Sequence, residues 1–60
     1  MDLELLRRET LDALVEHLAE EHIGVEEFER RVKTAREGEG EMEIRRALDG
    51  LPGRGSAGAA

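Results

Sequence analysis

Ten residues, Ile23-Gly24-Val25-Glu26-Glu27-Phe28-Glu29-Arg30-Arg31-Val32, restrict the options of this chain more than any others. They hold its only aromatic side chain and its clearest helix start, and they open an apolar series of Val25, Phe28, Val32 and Ala35. Steps of three, four and three set this series on one face of an α-helix, whereas a strand would scatter it over both surfaces. Glu and Arg occupy the opposite face. A stripe so narrow has to be covered, either by another helix of the same chain or by a partner.

The covering helix precedes it. Leu3, Leu6, Leu11, Leu14, Val15 and Leu18 form a broad apolar face in a stretch without Gly or Pro, which predicts a helix over about 3–21. His22, Ile23 and Gly24 then make a short connection, with Gly24 as N-cap, a weaker choice than Ser or Asp. Glu26 and Glu27 fall in the first turn of the second helix and Arg30, Arg31, Lys33 and Arg36 follow, an order that suits the helix dipole over 25–37. Gly38-Glu39-Gly40 interrupts the pattern, as glycines do at a helix end and a new N-cap. A third, shorter helix over 41–49 presents Ile44 and Leu48 with Met42 or Ala47 beside them. Gly50 and Leu51-Pro52 end it, and Leu51 is free to fold back as an apolar plug. Short connections make consecutive helices antiparallel neighbours. The expected fold is therefore all-α: an antiparallel helical hairpin with a short third helix across it in residues 1–51, and a disordered, flexible Gly/Ala-rich tail over 52–60. Phe28, Val32 and Ala35 should pack on Leu11, Leu14 and Leu18, with Ile23, Val25, Ile44, Leu48 and Leu51 completing the core and interaction positions.

Such a core is small. Of the 60 residues, 40% are charged and 2% aromatic, so little apolar area is available to offset chain entropy. Cysteine is absent, which removes disulfides and thiolate metal cages as supplements and fits a reducing cytoplasm. Self-association or a protein partner is the supplement that remains, through surplus apolar positions such as Leu5, Val15 and Met42.

A net charge of −6 argues against nucleic acid, whose binding draws on Lys and Arg neutralising phosphates. The basic pairs Arg7-Arg8, Arg30-Arg31 and Arg45-Arg46 are instead interleaved with acids. Glu4 with Arg8, Glu26 with Arg30, Glu27 with Arg31, Glu29 with Lys33 and Glu41 with Arg45 stand four apart, acid first, the arrangement that supports an exposed helix. The acidic opening Met1-Asp2-Leu3-Glu4 predicts no signal peptide. Unbroken apolar runs reach three residues, as at Ala13-Leu14-Val15, against the roughly twenty of a membrane span, so no direct membrane insertion is expected.

Chemical sites are weakly supported. His17 and His22, five apart, should lie on different parts of a helix surface, and His17 with Glu21 makes at most half of a metal site, because zinc takes three or four ligands. Both histidines read as solvated or cap-region residues. Ile23 to Glu27 imitates the end of a calcium loop, but Glu16, Leu18, Glu20 and Glu21 occupy the places where short oxygen ligands and a glycine are required. The hydroxyls are Thr10, Thr34 and Ser56, none paired with a base, and so short a chain has no walls for a pocket. Gly53-Arg54-Gly55-Ser56 reads as a linker. No enzyme, cofactor or metal is expected.

From Leu14 to Pro52 the chain resembles the SHOCT-like bacterial domain of unknown function. Glu27, Phe28 and Arg31 match its Glu-Phe-x-x-Arg helix opening, Ile44 and Leu48 its third helix, and Leu51-Pro52 its Leu-Pro end, with no gap between Leu18 and Pro52. Glu21 stands where that family has a turn glycine, Gly24 and Gly40 where it has Ser or Thr caps, and Gly50 where it has Asp. Of its polar opening only Arg7 has a counterpart. The resemblance implies a divergent member of a family often placed beside membrane spans or at chain ends, whose short relatives are associated with oligomerisation. The expected function is a non-enzymatic, cytoplasmic protein-interaction or oligomerisation module, acting as a homo-oligomer or on another protein. The alternative is a small acidic regulator that holds a basic partner electrostatically.

Overall fold

Helix α1, Leu3–Ala19, begins where Asp2 turns its carboxylate back onto the chain. Its Oδ1 accepts the amides of Glu4 at 3.0 Å and Leu5 at 3.2 Å, two donors that otherwise have no intrahelical partner. The computed structural model describes residues 2–51, and the tail expected over 52–60 lies outside them. α1 ends two residues before the expected Glu21. There Glu21 adopts the left-handed conformation, φ 63°, and the chain closes in a Schellman turn, with the Glu21 amide on the Leu18 carbonyl at 3.0 Å and the His22 amide on the His17 carbonyl at 2.9 Å.

Helix α2, Val25–Glu37, has the bounds that the apolar spacing predicts. Gly24 caps it by extended backbone alone, and the Phe28 amide reaches the Gly24 carbonyl at 2.9 Å. At the far end Gly38 is also extended, φ −62°, so its glycine is not there for a left-handed turn. Space explains it. A Cβ on Gly38 would stand 3.0 Å from both Cγ1 and the backbone nitrogen of Ile44, which is itself fully buried.

The third helix is shorter than its expected 41–49. α3 runs Glu41–Arg45 and tightens into a 3-10 turn over Arg46–Leu48. Gly50 then takes φ 81°, the conformation that glycine tolerates best, and lets the Leu51 amide return to the Leu48 carbonyl at 3.1 Å. Leu51 thereby folds back against the core, as expected of it.

The hairpin of α1 and α2 is antiparallel, since Arg7 near the start of α1 touches the end of α2, and α3 lies against both. Leu14, Ile23, Ala35 and Ala47 make the buried cluster, with Leu11, Leu18, Phe28, Val32, Leu48 and Leu51 packed partly buried around it. Thr10, Ala13 and His17 are also buried, along the flank of α1 turned away from Leu11 and Val15. Short side chains at Thr10 and Ala13 let α3 approach that flank closely. On α2 the same side carries Arg31 and Gly38, which meet the 3-10 turn and Ile44. The molecule is a slab of 28 × 27 × 15 Å. Two packed helix layers span about 13–15 Å between outer Cα atoms, so among the described residues the thin axis is accounted for by the hairpin and α3.

Candidate functional site

The uncovered side of the hairpin is the candidate site. At about 100° per residue, Val15 of α1 and Val25 of α2 lie on the sides of their helices turned away from α3, with Leu11, Leu18, Phe28 and Val32 between them and the buried seam. Their exposure is graded. Leu11, Leu18, Phe28 and Val32 are partly buried in the seam, whereas Val15 and Val25 keep 53% and 62% of their surface open. Phe28 and Val32 line a shallow groove with Glu29, Lys33, Arg36 and Glu37, and Leu5 and Leu11 line another on α1 between charges of both signs. The chemistry available is that of contact: an apolar strip with a mixed-charge rim, which is the usual anatomy of an interface.

The structure therefore divides the predicted positions. Leu14, Ile23, Ala35 and Ile44 are buried, and Leu11, Leu18, Phe28, Val32, Leu48 and Leu51 pack around them. Val25 does not join the core, because it is the first residue of α2 and projects to the side where no third layer covers it among the described residues. Val15, grouped by spacing with the core face of α1, is exposed for the same reason. Leu5 at 51% and Met42 at 75% are exposed too, Leu5 on the back of α1 and Met42 on α3.

Two arginines hold the helix ends. One terminal nitrogen of Arg7 donates to the carbonyls of Ala35, Arg36 and Gly38 at 2.7, 2.8 and 3.0 Å, which are the acceptors left over where α2 stops. Arg31, the residue matched to the Glu-Phe-x-x-Arg motif, places Nε on Glu27 at 2.9 Å and a terminal nitrogen on the carbonyls of Ala47 and Asp49 at 2.9 and 2.7 Å. Arg31 thus ties the 3-10 turn to α2 while Glu27 fixes its orientation. Of the five acid-first pairs, Glu27 with Arg31 and Glu41 with Arg45 close at 2.9 Å, while Glu4 turns to Arg7 at 3.8 Å. The role of Arg7 went unread in the sequence. Its signal was present, since Arg7 stands seven before Leu14 and so shares the core-facing line of α1.

The histidines correct the sequence reading most. Instead of lying apart, His17 and His22 meet with Nδ1 to Nδ1 at 2.9 Å and ring centroids at 5.1 Å. His17 is buried, with 7% of its surface exposed. The Schellman turn is the cause. It stacks the sixth residue of the turn, His22, over the first, His17, the place where such turns usually hold an apolar contact. Glu20 Oε1 lies 3.6 Å from Nε2 of His22. No group of three His, Asp or Glu side chains suited to a metal ion occurs among the described residues.

No helix of the described residues is long and apolar enough to cross a membrane. No protein-family model, curated protein or solved structure matches this chain.

Proposed function

We propose that this chain is a non-enzymatic, cytoplasmic self-association module in which two copies join through the open face of the α1–α2 hairpin. One observation carries the reading: Val15 and Val25 stand exposed beside the partly buried Leu11, Leu18, Phe28 and Val32 on a helix pair that packs against α3. A stable interface takes ~800 Å² from each partner, and the 28 × 27 Å extents of the molecule set the upper bound on what this side can supply, so the charged rim has to take part. Pairing two hairpins through this side gives a four-helix arrangement, in which each strip supplies the layer the other lacks. The rim favours a copy of the same chain, since Glu29, Lys33, Arg36 and Glu37 carry two charges of each sign and can meet their own image across a two-fold axis. Membership in the SHOCT-like family, proposed on the Glu27, Phe28 and Arg31 match, agrees with oligomerisation.

Sedimentation across a concentration series tests the reading. A monomer–dimer equilibrium is expected, and it is lost in the Val15→Glu, Val25→Glu double variant while the helical signal of the monomer persists. A folded monomer at every concentration, millimolar included, overturns the proposal.

A further inference from the structure

We propose that the His17–His22 contact is an acid-labile latch on the corner between α1 and α2. The two Nδ1 atoms face each other at 2.9 Å, and a hydrogen bond at that distance holds a single hydrogen between them. One ring must donate and the other accept. Glu20, 3.6 Å from Nε2 of His22, favours a hydrogen on that nitrogen and leaves the His22 Nδ1 lone pair to accept from the Nδ1–H of buried His17. A first added proton is compatible with this contact. One imidazolium in the pair still donates from its Nδ1 to the neutral partner, and both the C-terminal end of α1 and Glu20 beside His22 favour a cation here. A second proton is not compatible, since it sits on His22 Nδ1 and sets two N–H groups and two positive charges against each other.

The corner is poised to respond. Glu21, between the rings in sequence, is held at φ 63°, a conformation that side chains other than glycine rarely adopt, by the same turn that brings the histidines together. Loss of the ring contact removes a restraint on a strained residue, and Ile23, buried in the core cluster, is the next point of attachment. Glu20, at the C-cap of α1, is the charged group beside the pair; the elements packed at this corner also carry Glu16 on α1, Glu21 in the turn, Glu26 and Glu27 at the opening of α2, Glu27 being engaged by Arg31, Glu41, Glu43 and Arg45 on α3, and Arg46 and Asp49 at the 3-10 turn. The sign follows from linkage: the open corner accommodates a proton on both Nδ1 atoms and the closed contact accommodates one, so acid favours opening and stability is lost as pH falls.

Two measurements on the full chain decide the matter. In ¹⁵N NMR of the imidazoles, the rings should titrate in two separated steps, with the Glu21, His22 and Ile23 amides shifting at the second. Independent titration of the two rings with a common midpoint and unmoved amides overturns the latch. In parallel, His22→Leu keeps an apolar contact at that place in the turn but removes the shared proton. Between pH 7.5 and 5 the folding constant of the parent chain should fall about tenfold relative to this variant, the size expected for one lost hydrogen bond. Superimposable pH profiles for the two chains overturn it equally. If His22→Leu fails to fold, the titration of the parent chain decides alone.

Discussion

Single residues in this chain carry tasks that their types do not advertise. Glu21 occupies the left-handed position of the Schellman turn, where glycine is the usual occupant and where a residue with a Cβ is strained by about 1–2 kcal/mol. Glycine would be free of that strain, although its flexibility in the unfolded chain returns part of the gain. Glu21→Gly should therefore raise stability by about 0.5–1 kcal/mol, read as a higher urea midpoint with an unchanged slope. An unchanged or lower midpoint would mean that the turn is held by side-chain contacts of Glu21 rather than by backbone closure. The same position explains why the end of α1 was misplaced by two residues: the helical pattern runs through Glu21, and nothing in a glutamate signals a left-handed turn. With the end misplaced, His17 and His22 were read along a continuous helix, where residues five apart diverge, instead of across a turn that stacks them. Gly50 carried the opposite message and was legible, because a glycine before a terminal Leu-Pro is the ordinary mark of a stop.

Among the elements, α2 was the most legible and α3 the least. Thirteen residues with an apolar stripe, acids at the start and glycines at both borders fix the bounds of α2 without reference to the rest of the chain. α3 has five residues, too few to stand by propensity, and depends on what holds it. Ile44 anchors it from below, in close contact with Gly38, and Arg31 reaches over from α2 to the carbonyls of Ala47 and Asp49. Those bonds are long-range in the sequence, so local periodicity had no access to the 3-10 ending over Arg46–Leu48. Arg31→Met retains the length and apolar stem but none of the donors. It should lower stability by about 1–3 kcal/mol, since two carbonyls and the Glu27 carboxylate lose a charged partner together. Arg31→Lys should restore only part of this, because one ammonium cannot reproduce a fork that spans the carboxylate on one edge and two carbonyls on the other. Urea unfolding of the three chains makes the comparison. Full rescue by lysine would reduce the role of Arg31 to charge alone.

Among the described residues the molecule is a hairpin with one side packed by α3 and one side open, and this asymmetry could not be read from the helix stripes. Spacing assigns Leu11, Leu14, Val15, Leu18, Val25, Phe28, Val32 and Ala35 to apolar faces, but only the placement of α3 decides which of them are enclosed. Charge then separates the two ways in which the open side can act. Each copy carries a net charge of −6, so two copies brought face to face repel one another while their apolar strips attract. Added salt shortens the range of that repulsion, from about 10 Å at 0.1 M to about 3 Å at 1 M, and strengthens apolar contact slightly at most. Self-association through the hairpin face should therefore tighten as salt rises. An acidic regulator would behave in the opposite way, since attraction between its carboxylates and a basic partner weakens under the same screening. Sedimentation equilibrium of the parent chain alone at about 0.05 M and about 1 M sodium chloride tests the first. A dimer constant that improves several-fold at high salt, and that disappears in the Val15→Glu, Val25→Glu variant at both, places the association on the apolar strip. A constant that falls with salt would move it to the charged rim, where Glu29, Lys33, Arg36 and Glu37 would be the contacts to change next.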